Sequence, residues 1–479
     1  MIRNYLKITF RNLAKYKVHS IINILGLSIG IAISILIMVL VRNELSYDKY
    51  NADWDRIYRV NTYEKLNDTE LRSAMTSFAL GEELSKFEEV EEVSRVLLGS
   101  PKRVSYRDNH YSAERFFYTD PNFFKIFSIP LIKGDPDQVL KDPLTIVITQ
   151  ETAEKYFGNA DPVGKKLELD NGWLFTITGI SENVPENSHF HFDYLAALKG
   201  VADKGESAWI AQSASTYILA KESADTKIIE KKLKKLVVEY VIPEIEKMSG
   251  RKFTETSGEN FFSYYLQPLQ DIHFTPELHG QFEAGTQKGY IYLFTFISLV
   301  ILVVACVNYM NLSTARSATR AREVGLRKVV GATRNQIILQ FMTESVLFAF
   351  IALFLSLVIL ELMIRPFNRF SGMDLDIFYL DTWYLVPSLF LGAFVIGLFS
   401  GSYPSFYLSS FNVLSVMKRK QFEGMRNTSF RGLLVLSQFT ISIILAICSM
   451  IIVEQVKFSR RPTLVLISTT YWLFSVHML

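Results

Sequence analysis

Three stretches gather side chains that could do chemistry. The first, Gly158-Asn-Ala-Asp-Pro-Val-Gly-Lys-Lys166, sets two glycines ahead of two lysines, the make-up of a loop whose backbone amides cradle phosphate. Such a loop needs four residues between its glycines and a hydroxyl residue after its lysine. Here five residues intervene and Lys166 occupies the hydroxyl position, so phosphate binding is not expected. The second stretch, "HFHFD", would place His189, His191 and Asp193 on one face of a strand, a conceivable metal set. Two imidazoles and a carboxylate with no distant partner are more often structural, and no metal is expected. The third, "SATRAREVGLRKVVGATR" at 317–334, lies between two apolar runs and, with Arg316, carries Arg320, Arg322, Arg327, Lys328 and Arg334 against Glu323. Helical spacing puts Arg320, Glu323, Arg327 and Arg334 on one face and allows a Glu323–Arg327 pair at i,i+4. Leu326, Val329 and Val330 form an apolar patch beside them, and Gly331 ends the helix. Such a helix suits a groove on a protein partner; its charge alone suits an anionic lipid surface.

The elements around these stretches set where each of them lies. Hydrophobic residues make up 49% of the 479-residue chain, and its formal charge is only +3, which argues against nucleic acid as a partner. Five runs, at about 21–41, 290–310, 337–362, 383–403 and 433–453, are long and apolar enough to span a bilayer. The first is too long for a signal sequence and has no small-residue cleavage site behind it, so it reads as a retained anchor. Arg3, Lys7, Arg11, Lys15 and Lys17 precede it without an acid, and Lys418, Arg419, Lys420, Arg426 and Arg431 lie between the last two runs. The loop after the third run balances Arg365 and Arg369 with Asp374, Asp376 and Asp381. The positive-inside rule then places the N-terminus, the third stretch and 411–432 in the cytoplasm, and 43–287 and 363–382 outside.

Further patterns refine both parts. Arg3, Lys7, Arg11 and Lys15 lie opposite Ile2, Leu6, Phe10 and Leu13, a basic amphipathic helix for the cytoplasmic interface and its lipid. Gly26, Gly30 and Ser34 form a small-residue stripe for close helix packing. No charge is expected at span centres, with Glu344, Glu361 and Arg365 toward the boundaries. In the polar part, "LTIVIT" reads as a strand, "QETAEKYFG" as a helix ended by Gly158, and "DPVG" as a turn. Asn171-Gly172 reads as a tight two-residue hairpin turn. "FEEVEEV" and "IIEKKLKKLVVEYVIPEIEK" read as solvent-facing helices. The sole cysteines, Cys306 and Cys448, lie in separate apolar runs, and no GxSxG, HExxH or paired-cysteine motif occurs. No catalytic residue, metal or cofactor is expected.

From Ala321 to Ser345, "AREVGLRKVVGATRNQIILQFMTES" resembles the FtsX-like/MacB-like permeases of ABC transporters. "LKITFRNLAKYKVHSIINILGLSIG", "DPVGKKLEL", "FTITGISENVPENSHFHFDYL" and "GLFSGSYPSFYLSSFNVLSVMK" are similar to other parts of that family, in the same order. The resemblance implies a membrane protein with about five transmembrane α-helices and a large α+β periplasmic domain inserted between spans one and two. Its parts would be an amphipathic helix and first span at 1–45, a periplasmic core domain at 46–287, and a three-span permease domain at 288–410 with coupling segment 313–336. A cytoplasmic linker at 411–432, a fifth span at 433–455 that begins a second repeat, and a divergent tail at 456–479 follow. In this reading the chain has the form of a truncated member of the double-length branch. It would be a multi-pass inner-membrane permease that hydrolyses no ATP. A separate cytoplasmic ATPase would bind Arg320, Glu323, Leu326, Arg327, Lys328, Val330 and Arg334. A homodimer or a second permease, a periplasmic adaptor and an outer-membrane channel are the other implied partners, with a drug, peptide or lipoprotein as exported cargo. The alternative is a non-transporting transmitter that regulates a cell-wall hydrolase or senses peptides.

Overall fold

The computed structural model describes residues 11, 16–66, 69–101, 103–201, 208–250, 252, 261–315, 317–373, 375, 384–410 and 428–459. The N-terminal amphipathic helix (Arg11 apart), Arg316, the acids of the 363–382 loop, most of the 411–432 linker and the tail from 460 lie outside them.

The chain divides into two compact units, residues 1–39 with 294–479 and residues 40–293. Helices that build the first unit are long because their apolar runs are unbroken. They are α1 (Lys17–Leu45), α8 (Lys288–Ala315), α10 (Arg334–Ser371), α11 (Leu385–Ser409) and α12 (Thr428–Ser459), with the shorter α9 (Ser317–Val329) between α8 and α10. Five of them, α12 by its segment Gly432–Gln455, are long and apolar enough to cross a membrane. At 38 residues α10 exceeds the apolar run read from sequence. A helix rising about 1.5 Å per residue outreaches a hydrocarbon core of about 30 Å, so its polar ends extend beyond it. Thr333 and Gln336 cap its start reciprocally, and Gly372, in the left-handed conformation, ends it. Leu27, Ile31, Ala305, Ala349, Ala352, Leu353 and Ala393 form the bundle core.

Unit 40–293 carries small helices between strands: α2 (Phe78–Leu84), α3 (Phe123–Ile126), α4 (Gln150–Phe157), α5 (Thr226–Leu236), α6 (Ile242–Ser249) and α7 (Leu269–Ile272). Its strands are β1 (Ile57–Leu66), β2 (Thr69–Ser73), β3 (Val90–Leu98), β4 (Arg103–Tyr106), β5 (Asn109–Ser112), β6 (Phe116–Thr119) and β7 (Leu131–Lys133). The rest are β8 (Thr145–Thr149), β9 (Lys166–Leu169), β10 (Leu174–Ser181), β11 (Tyr194–Ala197), β12 (Ser215–Ala220) and β13 (Phe262–Pro268). They form one mixed sheet in the order β13-β1-β12-β3-β6-β11-β8-β10-β9-β4-β5, with β2 on β1 and β7 on β10. The β11–β6 and β10–β8 pairs are parallel, and apolar clusters cover both faces. The architecture is thus a set of apolar helices that could span a membrane, with a mixed sheet unit inserted in sequence between the first two.

"LTIVIT" and "QETAEKYFG" fold as β8 and α4, with Thr149 accepting from the Thr152 amide as N-cap. Three readings need correction. "FEEVEEV" leads into strand β3 and is not a helix. Val90 and Val93 are both buried at a helical spacing because the register against β12 shifts between Glu92 and Val90, leaving Glu91 extra. A bulge of this kind returns two residues three apart to one face of a strand. The Asn171-Gly172 hairpin has a longer turn: the Leu169 amide donates to the Trp173 carbonyl at 2.9 Å, and only Gly172 (φ 81°) is left-handed. A two-residue type I′ turn would need positive φ at Asn171 as well. Finally, residues 189–193 form no strand; β11 starts at Tyr194. "IIEKKLKKLVVEYVIPEIEK" is helical, with a π-helical turn at Val237–Val241 joining α5 and α6.

Candidate coupling site and buried polar layer

Helix α9 is held on the membrane unit from one side. Val324 is buried with Ile337, Phe341 and Leu408. The Glu323 carboxylate pairs with Arg327 at 2.7 Å, one helical turn on, and Arg327 also donates to Gln340 of α10. Lys328 donates to the Ser409 carbonyl at 2.7 Å and Arg334 to the Ser409 hydroxyl at 3.4 Å. Both cations therefore meet the last turn of α11, where unpaired carbonyls and the helix dipole favour positive charge. The turn to α10 is closed by Gly331, at φ 99°, which a side chain would strain. The opposite edge is open: Leu326, Val329 and Val330 are 71%, 59% and 83% exposed. Arg320 lies on α9, and its side chain is outside the described residues. Thus Arg327, Lys328 and Arg334 each bond within the chain, Arg334 from an exposed position, while the apolar residues beside them face out.

The stripe on α1 faces α8. A Cβ on Gly30 would stand 2.6 Å from the Ala305 Cβ, and one on Gly26 would stand 3.2 Å from the Asn308 amide nitrogen. Ser34 and Ser298 each donate to the other's carbonyl, at 3.2 and 3.3 Å. Gly397 and Gly401 of α11 likewise lie on Val346 and Ser345 of α10. Glu344 of α10, which the sequence places toward a span boundary, is buried at 4% exposure.

In the sheet unit, the two histidines of "HFHFD" separate. His189 Nδ1 lies 2.8 Å from Asp48 Oδ1, and its Nε2 lies 2.8 Å from the Tyr217 hydroxyl. His191 Nδ1 meets the Glu283 carboxylate at 2.9 Å. Among the described residues no cluster could hold a metal ion. Gly158 and Gly164 sit at positive φ in a turn whose Asp161 pairs with Lys133 at 2.9 Å.

One buried layer escapes the sequence altogether. Fully buried Arg59 donates to Asn61 at 2.9 Å and to Gln267 at 2.8 Å. Burial pulls its guanidinium down, opposed by Tyr217. The Tyr217 phenol is itself pushed up to about 12 by burial. On the far side of Tyr217 stand His189 and Asp48, and close by Glu44 meets His273 Nε2 at 2.8 Å, both buried. These residues come from segments up to 229 positions apart, brought together by the pairing of β1 with β12 and β13 and by the bond from the Asp48 amide to the Asn187 carbonyl.

Comparison with known proteins bears on both units. Residues 20–236 match the family model of the MacB-like periplasmic core domain, and residues 295–413 match the FtsX-like permease C-terminal model. The macrolide export ATP-binding/permease protein MacB of Neisseria gonorrhoeae (strain ATCC 700825 / FA 1090) is 26% identical over 256 residues, 52% of this chain and 35% of that protein. The chain thus matches about a third of that relative's length. The uncharacterized ABC transporter permease YvrN of Bacillus subtilis (strain 168) is 22% identical over 356 residues, 71% of this chain and 82% of that one. Among solved structures, a domain of a permease protein from Porphyromonas gingivalis aligns at TM-score 0.40 and 22% identity. That alignment covers 46% of this chain and 91% of that domain.

Proposed function

This chain belongs to the FtsX-like, MacB-like permeases of ABC transporters, and on that premise we propose that it is a permease subunit passing ATPase-driven motion across the inner membrane to its sheet unit. The observation that carries this reading is the seating of α9. Arg327, Lys328 and Arg334 tie it to α10 and the end of α11, while Leu326, Val329 and Val330 stay exposed beside a polar edge. A helix fixed on one side and apolar on the other is suited to a groove on a cytoplasmic ATPase, and its fixed side would hand the displacement to two membrane helices. Anionic lipid would engage the cations, yet three of them are already used inside the chain, which favours a protein partner over a lipid surface.

In this reading ATP is hydrolysed by a separate ABC ATPase, the N-terminus and α9 are cytoplasmic, and the sheet unit is periplasmic. The permease works as a homodimer or beside a second permease. Its cargo is a drug, peptide or lipoprotein handled outside the bilayer and passed to an adaptor and an outer-membrane channel; the MacB relatives are themselves named for macrolide export. The test is purification from native membranes. A stoichiometric ATPase should accompany the chain, and Leu326→Asp with Val330→Asp should remove it without impairing insertion, because both side chains are exposed. Recovery of the unaltered chain without an ATPase would overturn the proposal, and undiminished co-purification of the double variant would move the contact away from α9.

A further inference from the structure

His273 is engaged on three sides by different segments of the sheet unit. It follows α7 directly, and α7 is fixed because Leu269 and Ile272 are buried in the main apolar cluster. Its ring meets the exit of α1. Nε2 lies 2.8 Å from Glu44 Oε2, in the last turn of that helix, and the Tyr47 ring stacks on the imidazole with centroids 3.4 Å apart. Its carbonyl meets the approach to α8, where the Thr286 amide donates to it at 2.7 Å. Gly285 lies on the same carbonyl so closely that a Cβ would overlap the oxygen. The φ of Gly285 is outside the left-handed region, so the close approach, and not the backbone conformation, requires glycine there.

Each connection is also anchored to the sheet unit at a second place. After α1, the Asp48 amide donates to the Asn187 carbonyl at 2.7 Å, and Asn187 Nδ2 donates to the Ser46 carbonyl at 3.0 Å. Asn51 Oδ1 accepts from the Ser128 amide, and Ser128 Oγ accepts from the Ala52 amide, both at 2.9 Å. Before α8, the Ala74 amide donates to the His279 carbonyl at 2.8 Å and the His279 amide to the Arg72 carbonyl at 2.9 Å. Lys288, where α8 begins, pairs with Asp271 of α7 at 2.6 Å. A segment whose backbone is bonded at both ends opens far less readily than a free loop.

We infer that His273 is a rivet that fixes the exit of α1 and the approach to α8 to the sheet unit at one point. Tyr47 and Gly285 are its positioning residues. The tyrosine ring holds one connection against the imidazole, and the bare glycine lets the other lie flush on the carbonyl. The two connections therefore hold or loosen together, although Glu44 and His273 stand 229 positions apart. On the coupling proposed above, displacement of either α1 or α8 is delivered to the sheet unit through both connections. That consequence rests on the coupling; the rivet itself depends on neither ATPase nor cargo, so the two fail separately.

Hydrogen exchange of the full chain in lipid nanodiscs at a single pH reads the rivet. The amides to follow are those of Asp48, Lys49 and Asn51 on one connection and of His279 and Thr286 on the other, all hydrogen-bonded. Tyr47→Ala should lower protection by about tenfold in its own connection and also at His279 and Thr286. Gly285→Ala should lower it at Thr286 and, across the rivet, at Asp48, Lys49 and Asn51. Tyr47→Phe keeps the stacked ring and should match the unaltered chain. Strands β8 and β10 should keep their protection in all three variants. Unchanged protection, loosening confined to the substituted connection, or a Tyr47→Phe variant as loose as Tyr47→Ala overturns the inference. Should Gly285→Ala fail to fold, seen as lost protection in β8 and β10, the Tyr47 variants decide. A loss at His279 and Thr286 in Tyr47→Ala but not in Tyr47→Phe supports the rivet, and any other result there refutes it.

Discussion

The membrane unit and the sheet unit bury their interiors by opposite means. Where α1 meets α8 and α10 meets α11, Gly30, Gly397 and Gly401 let backbones approach until a single Cβ would stand 2.6–2.7 Å from its neighbour. In the sheet unit the space is filled by rings: Phe123, Phe127, Phe190, Phe192 and Tyr217 pack edge to face, tilted or stacked in one cluster. The difference follows from the solvent. Lipid tails are as apolar as a leucine side chain, so helices gain by close backbone packing and mutual hydrogen bonds such as Ser34–Ser298. Water rewards the removal of large apolar surface instead, and aromatic rings supply the most per residue.

The contrast can be broken at graded cost. Phe190→Ala should destabilise the sheet unit by about 3–5 kcal/mol in chemical unfolding, with the bundle unaffected; a loss below 1 kcal/mol would mean the rings are not what fills that core. Gly397→Leu adds volume against the Val346 backbone and should cost about 1–3 kcal/mol, seen as a lower melting temperature of the inserted chain. An unchanged melting temperature would show that α10 and α11 do not need the close approach. Removing the α4 cap with Thr149→Ala should cost about 1 kcal/mol. Glu323→Gln, which breaks a partly exposed pair one turn apart, should cost no more than about 0.5 kcal/mol. Glu283 offers an acid probe. Burial raises its carboxyl, and the hydrogen bond and charge of His191 outweigh this and leave it below the ordinary 4.5. Its contribution is therefore complete above that pH and is lost as pH falls through its folded value. Glu283→Gln should flatten that acid limb of a stability–pH profile.

Sequence spacing was a good guide where one period governed a whole element. The apolar runs mark the membrane helices because bilayer thickness sets their length, and "QETAEKYFG" carries its own cap and stop as α4. The Leu326, Val329 and Val330 spacing likewise marks an edge that is exposed on α9, though nothing in it says that Arg327, Lys328 and Arg334 are spent on Gln340 and Ser409. Periodicity misled where a local irregularity reset it. A bulge at Glu91 gave strand β3 the spacing of a helix, and a left-handed glycine lengthened the turn after Asn171. "HFHFD" misled differently, since alternation implies one shared face only if the segment is a strand.

What the sequence determined by itself is the division into apolar helices and a polar insert, and the charge bias of each connection. Those properties are local: about twenty apolar residues suffice to specify a span, and charges count wherever they fall in a short loop. Only the tertiary structure decided which charges are used internally and which histidine meets which acid. Glu44 and His273 lie 229 positions apart, and no period links them. Their meeting is a consequence of sheet order, because β13 closes on β1 and returns the chain to the point where it left α1.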